Sequence, residues 1–226
     1  MHNDEHAKTN CSRRVMRIAT WNVLNREEDF LDRFHSACNF LYSARVRVAM
    51  LQEIPIRYIQ EAVTIARRSR CALLTAGASE CECSRSSVAA ILVRDDSGIV
   101  CVGSSDFPIY DRNSDALFVL LHNNTLVADL VIDGILPITF VSRHADWGAT
   151  RQANRLNETK LVEEWLRDRN GNYGSDAENE HVVILGGDLN AERSEPSIGY
   201  LLDGQEGGGA FWIDVQDMRL RADPSY

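Results

Sequence analysis

Residues 182–190 read Val182-Val183-Ile184-Leu185-Gly186-Gly187-Asp188-Leu189-Asn190. The aliphatic, β-branched run from His181 to Leu185 has the pattern of a short buried strand, and two glycines end it. Side chains two apart in extended chain point the same way, so Asp188 and Asn190 are presented together. Asp188 can accept a hydrogen bond from water or bind a hard cation, and Asn190 can donate its NH₂ group to a phosphoryl oxygen. Aspartate and asparagine also favour turns, so a turn and a chemical site are both open readings here.

Three other strand ends carry similar groups. The alternating stretch Val15 to Val23 ends near Trp21-Asn22, and the apolar run Val46 to Leu51 leads into Gln52-Glu53. A carboxylate directly after that run is awkward in a core and natural at a sheet edge. The strand ending at Val141 continues as Ser142-Arg143-His144-Ala145-Asp146-Trp147-Gly148. His144 stands out from the other histidines because it follows an apolar strand and precedes Arg151 and Arg155, cations able to meet phosphate. Taken singly, Asn22 also reads as a cap, Glu53 as a solvated loop start and His144 as a surface histidine.

Outward from these stretches, the chain opens as β-α-β-α. Asn25 and Glu28 have the spacing of a helix start, and Phe30, Leu31, Phe34, Cys38, Leu41 and Tyr42 follow at helical spacing. Pro55 suits the first turn of a second helix with Ile56, Ile59, Val63 and Ala66 on one face. Strands are expected over 71–75, 87–93, 98–102, 117–122, 125–132 and 136–141, with Asp133-Gly134 favouring a hairpin turn. A helix over 150–169 buries Leu156, Leu161, Val162, Trp165 and Leu166. Strand-helix alternation at the ends around an antiparallel middle predicts an α/β fold, a four-layer α/β/β/α sandwich of two mixed sheets. Residues 1–13 are expected to be a disordered tail and 14–226 one domain. Flexible loops are expected over 76–86, 103–116, 170–180 and 204–209.

With 226 residues, 44% hydrophobic and 25% charged, the composition is that of a globular protein. The net charge of −9 argues against a broad electrostatic grip on nucleic acid, because non-specific binding comes from Lys and Arg neutralising phosphates. An acidic chain can still cleave phosphoesters if its carboxylates gather a divalent cation. No run approaches the ~18 apolar residues of a membrane span, and the polar N-terminus contains no signal-peptide apolar stretch, so the expected location is cytoplasmic. The six cysteines lack paired C-x-x-C spacing and are expected to be reduced.

In order and character, Trp21-Asn22, Gln52-Glu53, His144 and Gly187-Asp188-Leu189-Asn190 resemble the motifs of the endonuclease/exonuclease/phosphatase superfamily, the deoxyribonuclease I-like proteins. The resemblance runs over about residues 15–217, with Arg151 or Arg155 and Gln152 similar to the Arg and Gln of the family's following helix. Pro196-Ser197 and Phe211-Trp212-Ile213-Asp214 continue it. It implies a phosphoester hydrolase, a phosphodiesterase or nuclease, using Mg²⁺ or Mn²⁺. Glu53 would bind the metal with Asn22, while Asp188, Asn190 and His144 would be catalytic and Arg151 and Arg155 would contact substrate phosphate. The alternatives are a phosphatase on a small phosphorylated metabolite or lipid head group, and an inactive binding domain. The family's Arg-Ile-Asp-Tyr-like strand and Ser-Asp-His motif are not found after Asp214. The final strands are therefore expected to be missing, which leaves a sheet edge for self-association or completion by another chain. Asn22, Glu53, His144, Asp188 and Asn190 should meet in one cleft.

Overall fold

A computed structural model of the chain describes residues 16–24, 27–75, 87–95, 98–106, 124–134, 138–169, 182–203 and 212. The expected strand 117–122, Asn25, the N-terminal tail and the loops 76–86, 107–116, 170–180 and 204–209 lie outside the described residues.

The elements run β1 (Ile18–Asn22), α1 (Phe30–Ser43), β2 (Val48–Pro55), α2 (Ile59–Arg68), β3 (Cys71–Thr75), β4 (Ser87–Arg94), β5 (Ile99–Asp106), β6 (Thr125–Ile132), β7 (Ile138–His144), α3 (Gln152–Arg169), β8 (Val182–Asp188) and α4 (Pro196–Asp203). Two four-stranded sheets result, ordered β1-β2-β4-β3 and β5-β6-β7-β8. Each is mixed: β1 runs parallel to β2 and β7 to β8, while the other pairs are antiparallel. This is the predicted pair of mixed sheets.

The layers follow from strand parity. Leu126, Ala128, Leu130, Phe140 and the half-buried Ile138 and Ile184 of the second sheet pack into the same core as the first sheet and the apolar faces of α1 and α2. Their alternates Val127, Val141, Val183 and Leu185 pack instead with Val162 and Leu166 of α3. Helix α1 buries Phe30, Phe34, Ala37, Cys38 and Leu41, one stripe of a 3.6-residue period. Ladder β2, covered on both faces, reads as a near-continuous apolar run for that reason. At the end of the sandwich where β2 begins, Arg47 donates from both terminal nitrogens to Asp133 at 2.9 Å, tying the first sheet to the turn after β6. That turn has Asp133 at φ 53° and Gly134 at φ 71°, the conformation its Asp-Gly pair favours.

Several boundaries differ from expectation. A 3₁₀ turn, Glu27–Asp29, precedes α1, which starts only at Phe30. Pro55 ends β2 in extended conformation and leads into a second 3₁₀ turn, because its fixed φ of −65° serves a strand end as well as a helix start. Residues 103–106, expected to be loop, extend β5. Strand β8 runs through both glycines, and it is half-buried, not buried, because it is the edge strand of its sheet. No described helix is long and apolar enough to cross a membrane.

Burial pushes the Cys38 thiol up to about 12 from an ordinary 9.0, with Cys71 nearby adding to the rise. In the unfolded chain that thiol ionises near its ordinary value, so stability from this group is intact below pH 9 and is lost as pH rises toward 12. Cys38 should resist iodoacetamide at pH 8 in the native protein and react once denaturant is added; mass spectrometry of the alkylated peptide reads both states.

Candidate active site

Four strands end on one rim, and their inward-facing residues grade from apolar to polar toward it. In register, Ile18 lies beside Val48, Thr20 beside Met50 and Asn22 beside Gln52; Phe140 lies beside Ile184, Ser142 beside Gly186 and His144 beside Asp188. Between the sheets, Gly186 faces Met50 and Thr20, and a Cβ there would run into the Met50 thioether. Next toward the rim, the buried Gln52 amide donates to Ser142 Oγ at 3.2 Å and Thr20 Oγ1 at 3.4 Å. Its own oxygen has no hydrogen-bond partner among the described residues. Beyond it stand Asn22, Glu53, His144 and Asp188.

Asn22 joins this group. Its Nδ2 donates to Glu53 Oε1 at 2.8 Å and to Asp188 Oδ2 at 3.0 Å, one hydrogen for each carboxylate. Its Oδ1 accepts the Leu24 N–H at 2.9 Å, so the amide meets the carboxylates through nitrogen. His144 Nε2 lies 3.7 Å from Glu53 Oε1. Strict alternation would turn Glu53 to the opposite face from Gln52. A register shift between Leu51 and Ile54 and a φ of 64° at Glu53 bring its carboxylate to the rim instead. Leu24 and Asn190, at φ 57° and 48°, flank the same rim, and left-handed backbone in non-glycine residues is uncommon enough to mark a constrained region.

Asp188 and Asn190 realise both readings of their motif. The Asn190 N–H donates to Asp188 Oδ1 at 3.0 Å, a local turn, while Asp188 Oδ2 remains with Asn22. The Asn190 Nδ2 donates to Ala145 O at 2.9 Å, which spends one of its two amide hydrogens on the neighbouring loop. Gly187 is required there: its φ is 155°, and a side chain would collide with the backbone carbonyl of Arg143.

The two arginines part company. Arg151 is 56% exposed and 3.7 Å from Asp146. Arg155 is 1% exposed: it pairs with Glu195 at 2.8 Å and donates to the carbonyls of Gly148 at 2.8 Å and Asp146 at 3.2 Å. Its side-chain donors are thus engaged with groups of the protein itself, although it also lines the cleft beside the rim. Arg143 is buried likewise, held by Glu158 at 3.2 Å and Thr159 at 3.0 Å; burial pulls its pKa down and Glu158 counters. Gln152 is exposed at the start of α3. A cleft of about 650 Å³ lies beside the rim, lined by Gly148, Ala149, Asp188, Asn190, Glu192 and Glu195 among others. Sequence reading missed Glu195 and Glu158. The only available signal was acidic residues on faces otherwise needed for burial. Among the described residues no group of three or more His, Cys, Asp or Glu is placed to hold a metal ion.

No protein-family model matches the chain, and no curated protein does. Solved structures do match. A humanized D. rerio TDP2 aligns with a TM-score of 0.57 at 18% identity, over 78% of this chain and 63% of that one. ANGEL2, a 2',3'-cyclic phosphatase, aligns with a TM-score of 0.62 at 14% identity, over 83% and 57%. A mannosyl-6-phosphatase of Bacteroides thetaiotaomicron aligns with a TM-score of 0.62 at 15% identity, over 84% and 71%. The chain thus spans under two thirds of the TDP2 and ANGEL2 structures. At these identities the likeness establishes the deoxyribonuclease I-like, endonuclease/exonuclease/phosphatase fold.

Removing one partner of a buried ion pair leaves the other charge uncompensated, at about 3–5 kcal/mol. Glu195→Ala should lower the unfolding free energy by that order in a urea titration, and Arg151→Ala should leave it within about 0.5 kcal/mol.

Proposed function

We propose that this chain, built on the endonuclease/exonuclease/phosphatase fold, hydrolyses a phosphoester with the help of Mg²⁺ or Mn²⁺. One observation carries the reading: two carboxylates, Glu53 and Asp188, gathered on the single amide of Asn22, with His144 beside them. Like charges so placed repel, and a hard divalent ion is a natural counter-charge. Mg²⁺ and Mn²⁺ are commonly bound through one or two carboxylates with several waters retained, and Glu53 and Asp188 are two carboxylates brought to one amide. Glu53 is the proposed principal ligand, and Asn22 holds it in place through its NH₂ group. When bound, the ion would supply Lewis-acid polarisation of the phosphoryl group.

The chain's own residues complete the proposal. Asp188, fixed by Asn22 and by the Asn190 backbone, accepts a proton from the attacking water. His144 and the remaining amide hydrogen of Asn190 donate to phosphoryl oxygens as negative charge develops. Arg151, exposed in the turn just before α3, draws in the phosphate. A phosphodiesterase or nuclease is the main reading. The net charge of −9 supports a small phosphorylated metabolite or lipid head group as the second, since a long polyanion gains little from such a surface.

Partners follow from the sheet edges. Among the described residues, strands β1 and β8 are the outer strands of their sheets, on the same flank, and both are largely half-exposed. Unpaired strand edges are templates for further pairing, so we propose self-association there. Light scattering should give a mass above 25.4 kDa that falls on dilution; a monomer at all concentrations removes this reading.

For catalysis, a panel of aryl phosphodiesters and monoesters with Mg²⁺ or Mn²⁺ should show turnover that chelation abolishes. Glu53→Gln should weaken metal binding in calorimetry more than Asp188→Asn, whereas Asp188→Asn should cut kcat by ~10²-fold or more. Equal metal affinity in wild type and Glu53→Gln removes Glu53 as ligand.

A further inference from the structure

The end of the sandwich opposite the rim gathers positive charge. Arg17, Arg47 and Arg94 stand side by side where β1 and β2 begin and β4 ends: the Arg47 N–H donates to Arg17 O at 2.9 Å, and the Arg94 N–H to Arg47 O at 3.0 Å. Beside them, both helices of the first sheet finish on arginine. Arg67 and Arg68 close the last turn of α2, and Arg45 and Arg70 hold the left-handed position just past α1 and α2, each at φ 57°, where glycine is usual. The guanidiniums collect about the last turn of α1. Arg17 donates to Ala44 O at 2.7 Å, Arg70 to the Tyr42 hydroxyl at 3.5 Å, and Arg94 lies 4.4 Å over the Tyr42 ring.

A helix C-terminus favours a nearby cation, and one would serve each helix. This end holds many more. Arg17, Arg45, Arg67, Arg68 and Arg70 are exposed, while Asp95 and Asp133 are the only carboxylates in the described segments 16–17, 42–47, 67–71, 93–95 and 132–134. Asp133 is already taken by Arg47 at 2.9 Å. The side chains of Arg45, Arg67 and Arg68 have no partner among the described residues. The chain as a whole carries −9, so this end reverses the sign of the rest.

The kind of partner follows from the arrangement. A compact anion lodged among these side chains would meet the carbonyl end of α1, the negative pole of that helix, and is disfavoured there. Long arginine side chains instead reach past it to a partner outside. The cations spread in two directions: neighbouring strands stand about 4.8 Å apart along the sheet, and the helix ends add a layer about 10 Å deep. A nucleic-acid strand is served by a track of cations with open aromatic faces, whereas the Tyr42 ring is covered by Arg94. A two-dimensional array suits a plane.

We propose that this end of the molecule docks on an anionic membrane surface through Arg17, Arg45, Arg67, Arg68 and Arg70. The carboxylates of the rim do not oppose it. Glu53 lies six residues along β2 from Arg47, roughly 20 Å away, well beyond the ~8 Å over which charges act through physiological salt. Docked this way, the rim points away from the bilayer, which favours a water-soluble phosphoester over a lipid head group of the same membrane. Docking itself does not depend on hydrolysis.

The test is sedimentation of the full chain with vesicles of phosphatidylcholine alone and of phosphatidylcholine mixed with phosphatidylserine, at low and at high salt. Wild type should bind the mixed vesicles only, and high salt should release it. Each arginine near such a surface contributes about fivefold, so Arg45→Gly, Arg67→Gln and Arg68→Gln together should weaken binding on the order of 100-fold. Glycine suits the left-handed position at 45 and the other two sites are exposed, so this triple variant should melt with the wild type. Arg67→Lys with Arg68→Lys, which keeps the charge, should keep the binding. Equal binding to neutral vesicles, no binding to mixed ones, or wild-type binding by the triple variant overturns the proposal. So does arginine-dependent binding of a short DNA or RNA duplex with none to mixed vesicles, which would assign this end to nucleic acid. Turnover of a soluble phosphoester should be equal in wild type and triple variant; no turnover in either would remove the hydrolase reading and leave the docking result standing.

Discussion

Everything at the rim depends on one break in strand parity. Asn22, Gln52, His144 and Asp188 reach the space between the sheets because they occupy equivalent positions of paired strands. Glu53 follows Gln52 directly, and in a regular strand it would point toward the helices of the first sheet. The register shift after Leu51 and the left-handed backbone of Glu53 reverse that direction. A non-glycine residue held there costs of order 1–3 kcal/mol. The cost is offset locally: Ile54, just beyond, is fully buried, and Asn22 Nδ2 meets the redirected carboxylate at 2.8 Å. Without the bulge, Asn22 would hold one carboxylate instead of two.

The second constraint lies under the loops. Helix α3 sends charged side chains inward as well as apolar ones, with Arg155, Glu158 and Glu163 each under 5% exposed. Glu158 takes both the Arg143 guanidinium and the Asp146 N–H, so one carboxylate ties β7 and the loop after it to the helix. Arg155 binds Glu195, beyond β8, and the loop after β7 as well. The two loops that follow His144 and Asp188 are thereby fastened to the same helical turns and to each other through Asn190 and Ala145. Apolar packing would have buried α3 at lower desolvation cost. Directional bonds set where the loops lie, which apolar contacts do less sharply.

Those two features mark where sequence reading succeeds and stops. Strand ends were legible where apolar runs stop abruptly at polar groups: β1 ends at Trp21-Asn22 and β7 at His144, whereas β2 runs on past Gln52-Glu53 to Pro55 and β8 past Leu185 to Asp188. Gly187 was legible as punctuation, though the reason, close approach of the Arg143 carbonyl, is a tertiary fact. The bulge was not legible, since Gln-Glu-Ile-Pro holds no glycine to announce a left-handed residue. Nor were the arginines separable: Arg151 and Arg155 stand one turn apart, and the difference comes from Glu195, 40 residues later. Helix α3 conceals its buried charges in the same way, because a 3.6-residue pattern read for apolar residues passes over a stripe that also holds Arg155, Glu158 and Thr159.

The acidic balance of the chain and an anionic ligand are compatible for a reason of distance. At physiological ionic strength, charges separated by more than about 8 Å through solvent are largely screened, so the net −9 repels an approaching phosphate weakly once the ligand is near the rim. What the ligand meets there is set by a handful of groups. Arg143 and Arg155 are already neutralised by Glu158 and Glu195 inside the protein, and Asn22 occupies the space between Glu53 and Asp188 with donor hydrogens. Arg151, 56% exposed, stands in the turn before α3 with Asp146 3.7 Å away. On the proposed hydrolase reading, a site whose buried arginines are already paired suits a ligand of few charges better than a long polyanion.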